Sequence, residues 1–223
     1  AGGNNYTSSI PNYVSGSDMV ISKLSADGSS LIGSTYMGGS ENDGLNISAD
    51  LQKNYADDFR GEIVVDENDN VYVASSTLSN DFPVTAGVIQ SSFSGMQEAC
   101  VFKLNANLNT LVWSSFMGGT GNDAGYSLQF DELGNILITG GTTSNDFPTT
   151  TGVIHPAFQG GVTDGWIAKI NSTATTLLAS TFIGTGDYDQ CYFVQLDTAN
   201  NVYVIGQTEG TYPIIPASVY NGP

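Results

Sequence analysis

Apolar residues along this chain fall in short runs separated by clusters of Gly, Asn, Asp, Ser and Thr. In the last third the runs cover 166–171, 177–183, 191–197 and 201–207, each the length of a β-strand. Helical periodicity is absent. The third and fourth runs of a group are joined by tight clusters such as Asp131-Glu132-Leu133-Gly134-Asn135, whose residue types tolerate turn dihedrals. The run that follows, Ile136-Leu137-Ile138, is apolar at consecutive positions. A strand of that kind is covered on both faces, so the pattern predicts sheets stacked face to face.

The groups are copies of one another. Val20-Ile21-Ser22-Lys23-Leu24 returns as Val101-Phe102-Lys103-Leu104 and Ile167-Ala168-Lys169-Ile170. Ser34-Thr35-Tyr36-Met37-Gly38-Gly39 returns as Ser114-Ser115-Phe116-Met117-Gly118-Gly119 and Ser180-Thr181-Phe182-Ile183-Gly184. Turns opened by Asp66, Asp131 and Asp197 each precede an apolar strand. Asn80-Asp81-Phe82-Pro83-Val84-Thr85-Ala86-Gly87-Val88 matches Asn145-Asp146-Phe147-Pro148-Thr149-Thr150-Thr151-Gly152-Val153, and the last copy keeps only Tyr212-Pro213. The period is about 65 residues, long enough for a four-stranded unit. The units read as 18–97, with an insertion over 45–60, then 98–163 and 164–223. Residues 1–17 read as the tail of a preceding copy.

These linked blocks resemble the SBBP family, the β-propeller repeat of large bacterial surface and secreted proteins. The resemblance implies an all-β propeller of four-stranded antiparallel blades, export to the cell surface or beyond, and frequent occurrence in Bacteroidota proteins that carry a secretion-system sorting domain. It implies no shared catalytic residues. Three blades do not close a ring, since propellers have four to eight. The expectation is therefore an incomplete arc, with apolar end faces met by further blades of the same protein or by covering subunits. The rival fold is a three-fold prism-like β assembly complete in itself.

Composition narrows the function. Five Lys and Arg stand against 22 Asp and Glu, a formal charge of −17. Such a surface repels nucleic acid and anionic membrane, which are bound through cationic side chains. No run has the length of a membrane-spanning helix. The scarce cations stand in register: Lys23, Lys103 and Lys169 share one position, while Lys53 and Arg60 lie in or beside the insertion. Acids recur too, as Asp18, Glu98 and Asp164, as Asp43, Asp123 and Asp189, and as Asp66, Asp131 and Asp197. One reading makes them a repeated ligand site. The other pairs each Lys with a repeated acid as structural glue and leaves the remaining acids to cap turns; repetition in every unit favours this one.

Candidate chemistry is sparse. The Gly-Gly-x-x-Asn-Asp loops ending at Asp43 and Asp123, with Asp189 in the third copy, offer oxygen ligands for calcium from flexible turns. A calcium-binding β-roll is excluded, because the motif returns once per unit rather than every nine residues. His155 is the one histidine and precedes Pro156 in a long loop, so a His-based triad or multi-His metal centre would rest on a single ring. Cys100 matches Trp166 and Cys191 matches Gly125, and neither has the cationic surroundings of a reactive thiolate. Both read as core fillers, with a disulfide between them left open.

In an antiparallel meander successive connections alternate between the two ends of the sheet. The Gly-Gly-x-x-Asn-Asp loops, the Asn-Asp-Phe-Pro loops and the insertion therefore share one face. Long loops on a rigid scaffold are where recognition resides. Phe82 and Phe147 repeat and read as pins holding the long loop to the sheet. The insertion does not repeat, and its Tyr55, Asp57, Asp58, Phe59 and Arg60 suit contact with sugar or protein. The expected function is a non-catalytic adhesion or interaction scaffold. A glycan-binding module, or the non-catalytic part of a secreted polysaccharide hydrolase, is the alternative.

Overall fold

The computed structural model describes residues 16–54 and 56–214. Most of the expected preceding tail, and Tyr55, lie outside the described residues. Among the described residues there are twelve strands: β1 (Met19–Leu24), β2 (Leu31–Met37), β3 (Glu62–Val65), β4 (Val71–Thr77), β5 (Glu98–Leu104), β6 (Leu111–Met117), β7 (Asp123–Phe130), β8 (Ile136–Thr142), β9 (Asp164–Ile170), β10 (Leu177–Ile183), β11 (Asp189–Leu196) and β12 (Val202–Thr208). Every apolar run of the third unit became a strand near its expected limits. The insertion holds two short 3-10 turns, Ala49–Leu51 and Asp57–Phe59. No described helix is long and apolar enough to cross a membrane.

The protein is an all-β arc of propeller blades, and its sheets cut across the sequence units. One sheet runs β3-β4-β5-β6 and the next β7-β8-β9-β10, all antiparallel, while β1-β2 and β11-β12 are two-stranded. Each full blade thus takes its first two strands from one unit and its last two from the next. The expected blade limits 18–97, 98–163 and 164–223 are displaced by half a unit. The reason lies in the connections: the long loop 78–97 brings the chain back beside β4, whereas the short Gly-Gly loop after β6 carries it to a new sheet. The described residues make two complete blades flanked by two half-blades, which do not form a closed three-fold prism. β7 packs across β3, β4 and β5, and β11 across β7, β8 and β9.

Consecutive apolar residues in β4, β8 and β9 have a neighbour sheet on both sides, as their pattern requires. The larger core joins Leu128, Ile136, Ile138, Trp166, Ala168 and Phe182, and the smaller one Val73, Phe102, Leu104 and Phe116. In the β3–β4, β7–β8 and β11–β12 turns the same position is left-handed, filled by Asp69, Gly134 and Asn200 (φ 64°, 74° and 60°). These are the residue types that enter that region at least cost.

The Asn-Asp-Phe-Pro loops behave as pins. Phe82 and Phe147 are buried, Phe147 with its ring centroid 4.8 Å from Trp166, and Phe82 6.2 Å from Phe102 and 6.1 Å from Phe116. Each loop also runs along the last strand of the following half-sheet. The Thr85 N–H donates to the Ser114 carbonyl (3.0 Å) and the Phe116 N–H to the Gln90 carbonyl (3.1 Å). On the next blade Thr150 donates to Ser180 and Phe182 to His155, both at 3.0 Å. An edge strand that would otherwise recruit foreign chains is thereby covered. We expect Phe147→Ala to lower stability by about 3–5 kcal/mol, as for a large buried ring, read from the urea midpoint. Amide exchange should at the same time lose protection along β10. Unchanged protection there would separate the pin from edge cover.

Candidate functional site

The acids that looked most like metal ligands are internal brackets. Asp123 is fully buried at the start of β7, where its Oδ2 accepts from the Gly119 N–H (2.8 Å) and Ser144 hydroxyl (2.8 Å), and its Oδ1 from the Thr142 hydroxyl. Asp43 repeats the arrangement with Gly39 (2.7 Å), Ser79 (2.9 Å) and Thr77. One carboxylate thus ties the Gly-Gly loop to the end of β4 or β8. Asp189 keeps the loop half, accepting from the Thr185 N–H (2.6 Å) and hydroxyl (2.8 Å). The residue two past Thr208 is Gly210, where the other units have Ser79 and Ser144, and Asp189 Oδ1 has no partner among the described residues.

Beside each bracket stands the second repeated acid. A Cβ on Gly118 would fall onto both the Glu98 and Asp123 carboxylates, and Gly38 and Gly184 occupy the same place between Asp18 and Asp43 and between Asp164 and Asp189. The two acids of each pair therefore face one another across a space smaller than a methyl group, and only glycine fits between them. Burial pushes Glu98 up to about 7, with the Asp123 charge adding to it, and pushes Asp123 itself up to about 6. Asp164 rises to about 7, through burial and then the Asp189 charge. Calcium takes six to eight oxygens, whereas both oxygens of Asp43 and Asp123 already accept from donors. Among the described residues no group of three or more His, Cys, Asp or Glu is arranged to hold a metal.

Two acids of the third set, Asp66 and Asp131, pair with lysines. Lys169 lies 2.6 Å from Asp131 and Lys103 3.6 Å from Asp66, so the Lys of one unit meets the turn Asp of the unit before it. Asp66, Asp131 and Asp197 also accept backbone N–H groups two and four residues on. Burial raises the Asp131 carboxyl, but the Lys169 ammonium and the Asn135 and Leu133 donors outweigh it and hold it at about 2. Lys23 contacts Asp69 at 3.9 Å and Lys53 meets Glu209 at 3.0 Å. With Arg60 on Asp57 (2.9 Å), every cation of the chain has a carboxylate beside it.

The insertion splits in two. Asp57 is fully buried, and Arg60 stacks 4.1 Å above the Tyr192 ring while holding Asp57. Around them Asn46 donates to the Leu51 and Asp57 carbonyls (3.0 and 3.2 Å), Gln190 to Leu51 (2.9 Å), Gln97 to Asn46 (2.9 Å) and Thr163 to the Asp50 carbonyl (2.8 Å). Asn54 reaches the Tyr192 hydroxyl (3.0 Å) and Gln207 (2.6 Å). The insertion is a polar plug joining β7, β11 and β12. Asp57 and Arg60 belong to that plug, while Asp58 and Phe59 face solvent, Phe59 at 62% exposure. Sequence reasoning missed Asn46, Gln97, Gln190, Tyr126 and Tyr192. The available signal was register, since Asn46 occupies the position held by Tyr126 and Tyr192 in the other units.

The loop face is as the parity of the meander requires. Ser40 and Thr120 of the Gly-Gly loops donate to Asp81 and Asp146 of the Asn-Asp-Phe-Pro loops at 2.8 and 2.9 Å. His155 lies in loop 143–163, where its carbonyl accepts from Phe182. Cys100 and Cys191 are buried, unpaired thiols, and burial pushes Cys191 up to about 12.

Residues 54–83 and 112–148 match the family model of the SBBP beta-propeller repeat. These segments are SBBP repeats. Each matched segment ends on the proline of an Asn-Asp-Phe-Pro block, and together they take in β3, β4, β6, β7 and β8. No curated protein matches the chain. The buried carboxylate pairs make stability fall as pH rises. Glu98, Asp123 and Asp164 ionise near pH 4 in the unfolded chain but near 6–7 in the fold, so the folded state holds more protons in between. Their stabilisation is complete below about pH 4 and gone above about pH 7. The lowered Asp131 acts oppositely, losing stability as pH falls toward 2. We expect the melting temperature to be highest near pH 4–5 and to drop toward pH 8. Glu98→Gln should raise it at pH 8 by about 2–4 °C and leave it nearly unchanged at pH 5. An equal gain at both pH values would show that charge is not the cause.

Proposed function

We propose that the chain is part of a non-catalytic propeller at the cell surface or outside the cell, acting as an interaction or adhesion scaffold. The observation that carries this reading is the fate of the repeated acids: the brackets at Asp43 and Asp123 and the Lys–Asp pairs are spent on holding the arc together. The plug does the same with Asp57 and Arg60. Of the non-repeating insertion, Asp58 and Phe59 are exposed in a loop, and loops on a rigid scaffold carry recognition. The acidic balance fits a partner that is neutral or basic rather than a nucleic acid.

A glycan ligand is favoured by one specific feature. Phe59 projects beside the exposed Asp58 and lines a shallow cleft with Met19, Gly44, Glu62 and Ile63. An aromatic face flanked by carboxylates suits a sugar ring. Retention on a glycan array should fall at least about tenfold with Phe59→Ala, a change that leaves the Asp57–Arg60 plug in place. Retention that survives the substitution would remove the glycan reading.

The scaffold reading has its own checks. Polysaccharide and ester substrates should show no turnover, and hydrolysis abolished by one Asp or Glu substitution would overturn it. Protease shaving of intact producing cells should remove the protein, whereas protection until lysis would place it inside. No resident cofactor belongs to this reading: millimolar calcium should leave the melting temperature unchanged, and a rise lost on Asp189→Asn would assign it a metal.

A further inference from the structure

Between the two complete blades the loop face is cut by a cleft of about 280 Å³. Ile89 and Met117 of one blade and Pro148 and Leu177 of the next form its apolar walls. The exposed Ser94, Thr120 and Asp146 supply its polar groups. Sites for whole small molecules run from about 300 to 1,000 Å³, so a cleft of this size suits one side chain.

The walls are held in place before anything binds. The Ile89 N–H donates to the Ala174 carbonyl at 2.8 Å and bridges the two blades. Gln90 accepts from the Gly118 N–H (2.9 Å) and donates to the Ser94 hydroxyl (3.3 Å). Asp146 is fixed from one side only: its Oδ1 accepts from the Thr120 N–H (2.9 Å) and hydroxyl (3.1 Å), while Oδ2 has no partner among the described residues. No cation of the chain serves that oxygen. Lys103 and Lys169 stand at the far ends of β5 and β9 on Asp66 and Asp131, Lys23 contacts Asp69, and Lys53 and Arg60 are held by Glu209 and Asp57.

We infer that this cleft takes a lysine side chain from a basic segment of a protein partner, an inference that rests on the scaffold reading above. The butyl stem lies along the four apolar residues and the ammonium reaches Asp146 Oδ2, the division between stem and head that lysine allows. Lysine fits better than arginine. A single free oxygen serves a compact point charge, whereas a guanidinium is shaped to grip two. The formal charge of −17 draws such a segment in, and the preformed walls lose little freedom when it binds.

The test is an amide-resolved NMR titration of the full chain with the peptide acetyl-Gly-Ser-Lys-Ser-Gly-amide. Saturable shifts should appear at Ile89, Thr120 and Leu177, and the peptides with Glu or Arg in place of Lys should bind more weakly. Asp146→Asn keeps an oxygen for Thr120 but loses the charge, and should weaken binding at least about threefold. Ser94→Trp fills the cleft without changing charge and should remove the shifts. Asp27→Asn, at an exposed acid in the β1–β2 turn on the opposite face, should change nothing. The spectra themselves show that each variant folds. Shifts absent from the cleft, equal losses in Asp27→Asn and Asp146→Asn, tighter binding of the arginine peptide, or binding indifferent to Ser94→Trp would overturn the inference. Failure of the scaffold reading would show separately, because substrate turnover and surface shaving do not depend on Asp146.

Discussion

Everything in this arc depends on a strand pairing that crosses from one sequence unit to the next. β4 finds its second partner in β5, and β8 in β9, after some twenty residues of loop. A unit taken alone would leave its fourth strand with bare N–H and C=O groups and an apolar face in water, and both are costly. Borrowing the first strand of the following unit removes both costs at once. It also explains why the Lys of one unit meets the turn Asp of the unit before it. The ion pair follows from the strand exchange and marks its register.

Around this exchange the carboxylates divide their work. The turn acids sit near the surface on a row of backbone donors, with a lysine beside Asp66 and Asp131, and there ionisation is favoured. The bracket acids are buried next to a second acid, where ionisation is resisted. Two chemically identical groups thus respond to pH in opposite directions because burial strips water from one set, while the other keeps it and gains hydrogen-bond donors, with a lysine besides at Asp66 and Asp131. The glycine between each buried pair is required by the same geometry, since any side chain there would meet both carboxylates.

The plug shows how a scaffold can absorb a non-repeating element. Asn46, Asp57 and Arg60 satisfy one another and the Tyr126–Tyr192 pair, so the insertion adds a polar layer across β7, β11 and β12 rather than a free loop. Asp58 and Phe59 turn outward instead and face solvent. Asn46 and Asp57 persist as buried polar groups because both are paired, as an interior of low polarity demands.

Strand positions, the repeat, the pinning role of Phe82 and Phe147 and the common face of the long loops were all legible in the chain, because alternation, turn chemistry and meander parity are local properties. So was the pairing of Lys103 and Lys169 with repeated acids, though Lys23 meets Asp69 instead. Where one blade stops and the next begins was not legible, since a tandem repeat looks the same whatever point it is cut at. That phase is decided by which strands meet in space. The insertion posed the same problem: Asp57 and Arg60 have the composition of a binding loop, and only the position of Tyr192 beneath Arg60 turns them inward. Residue type announces what a side chain can bond to, and packing alone decides whether the bond is made inside the molecule or offered to another.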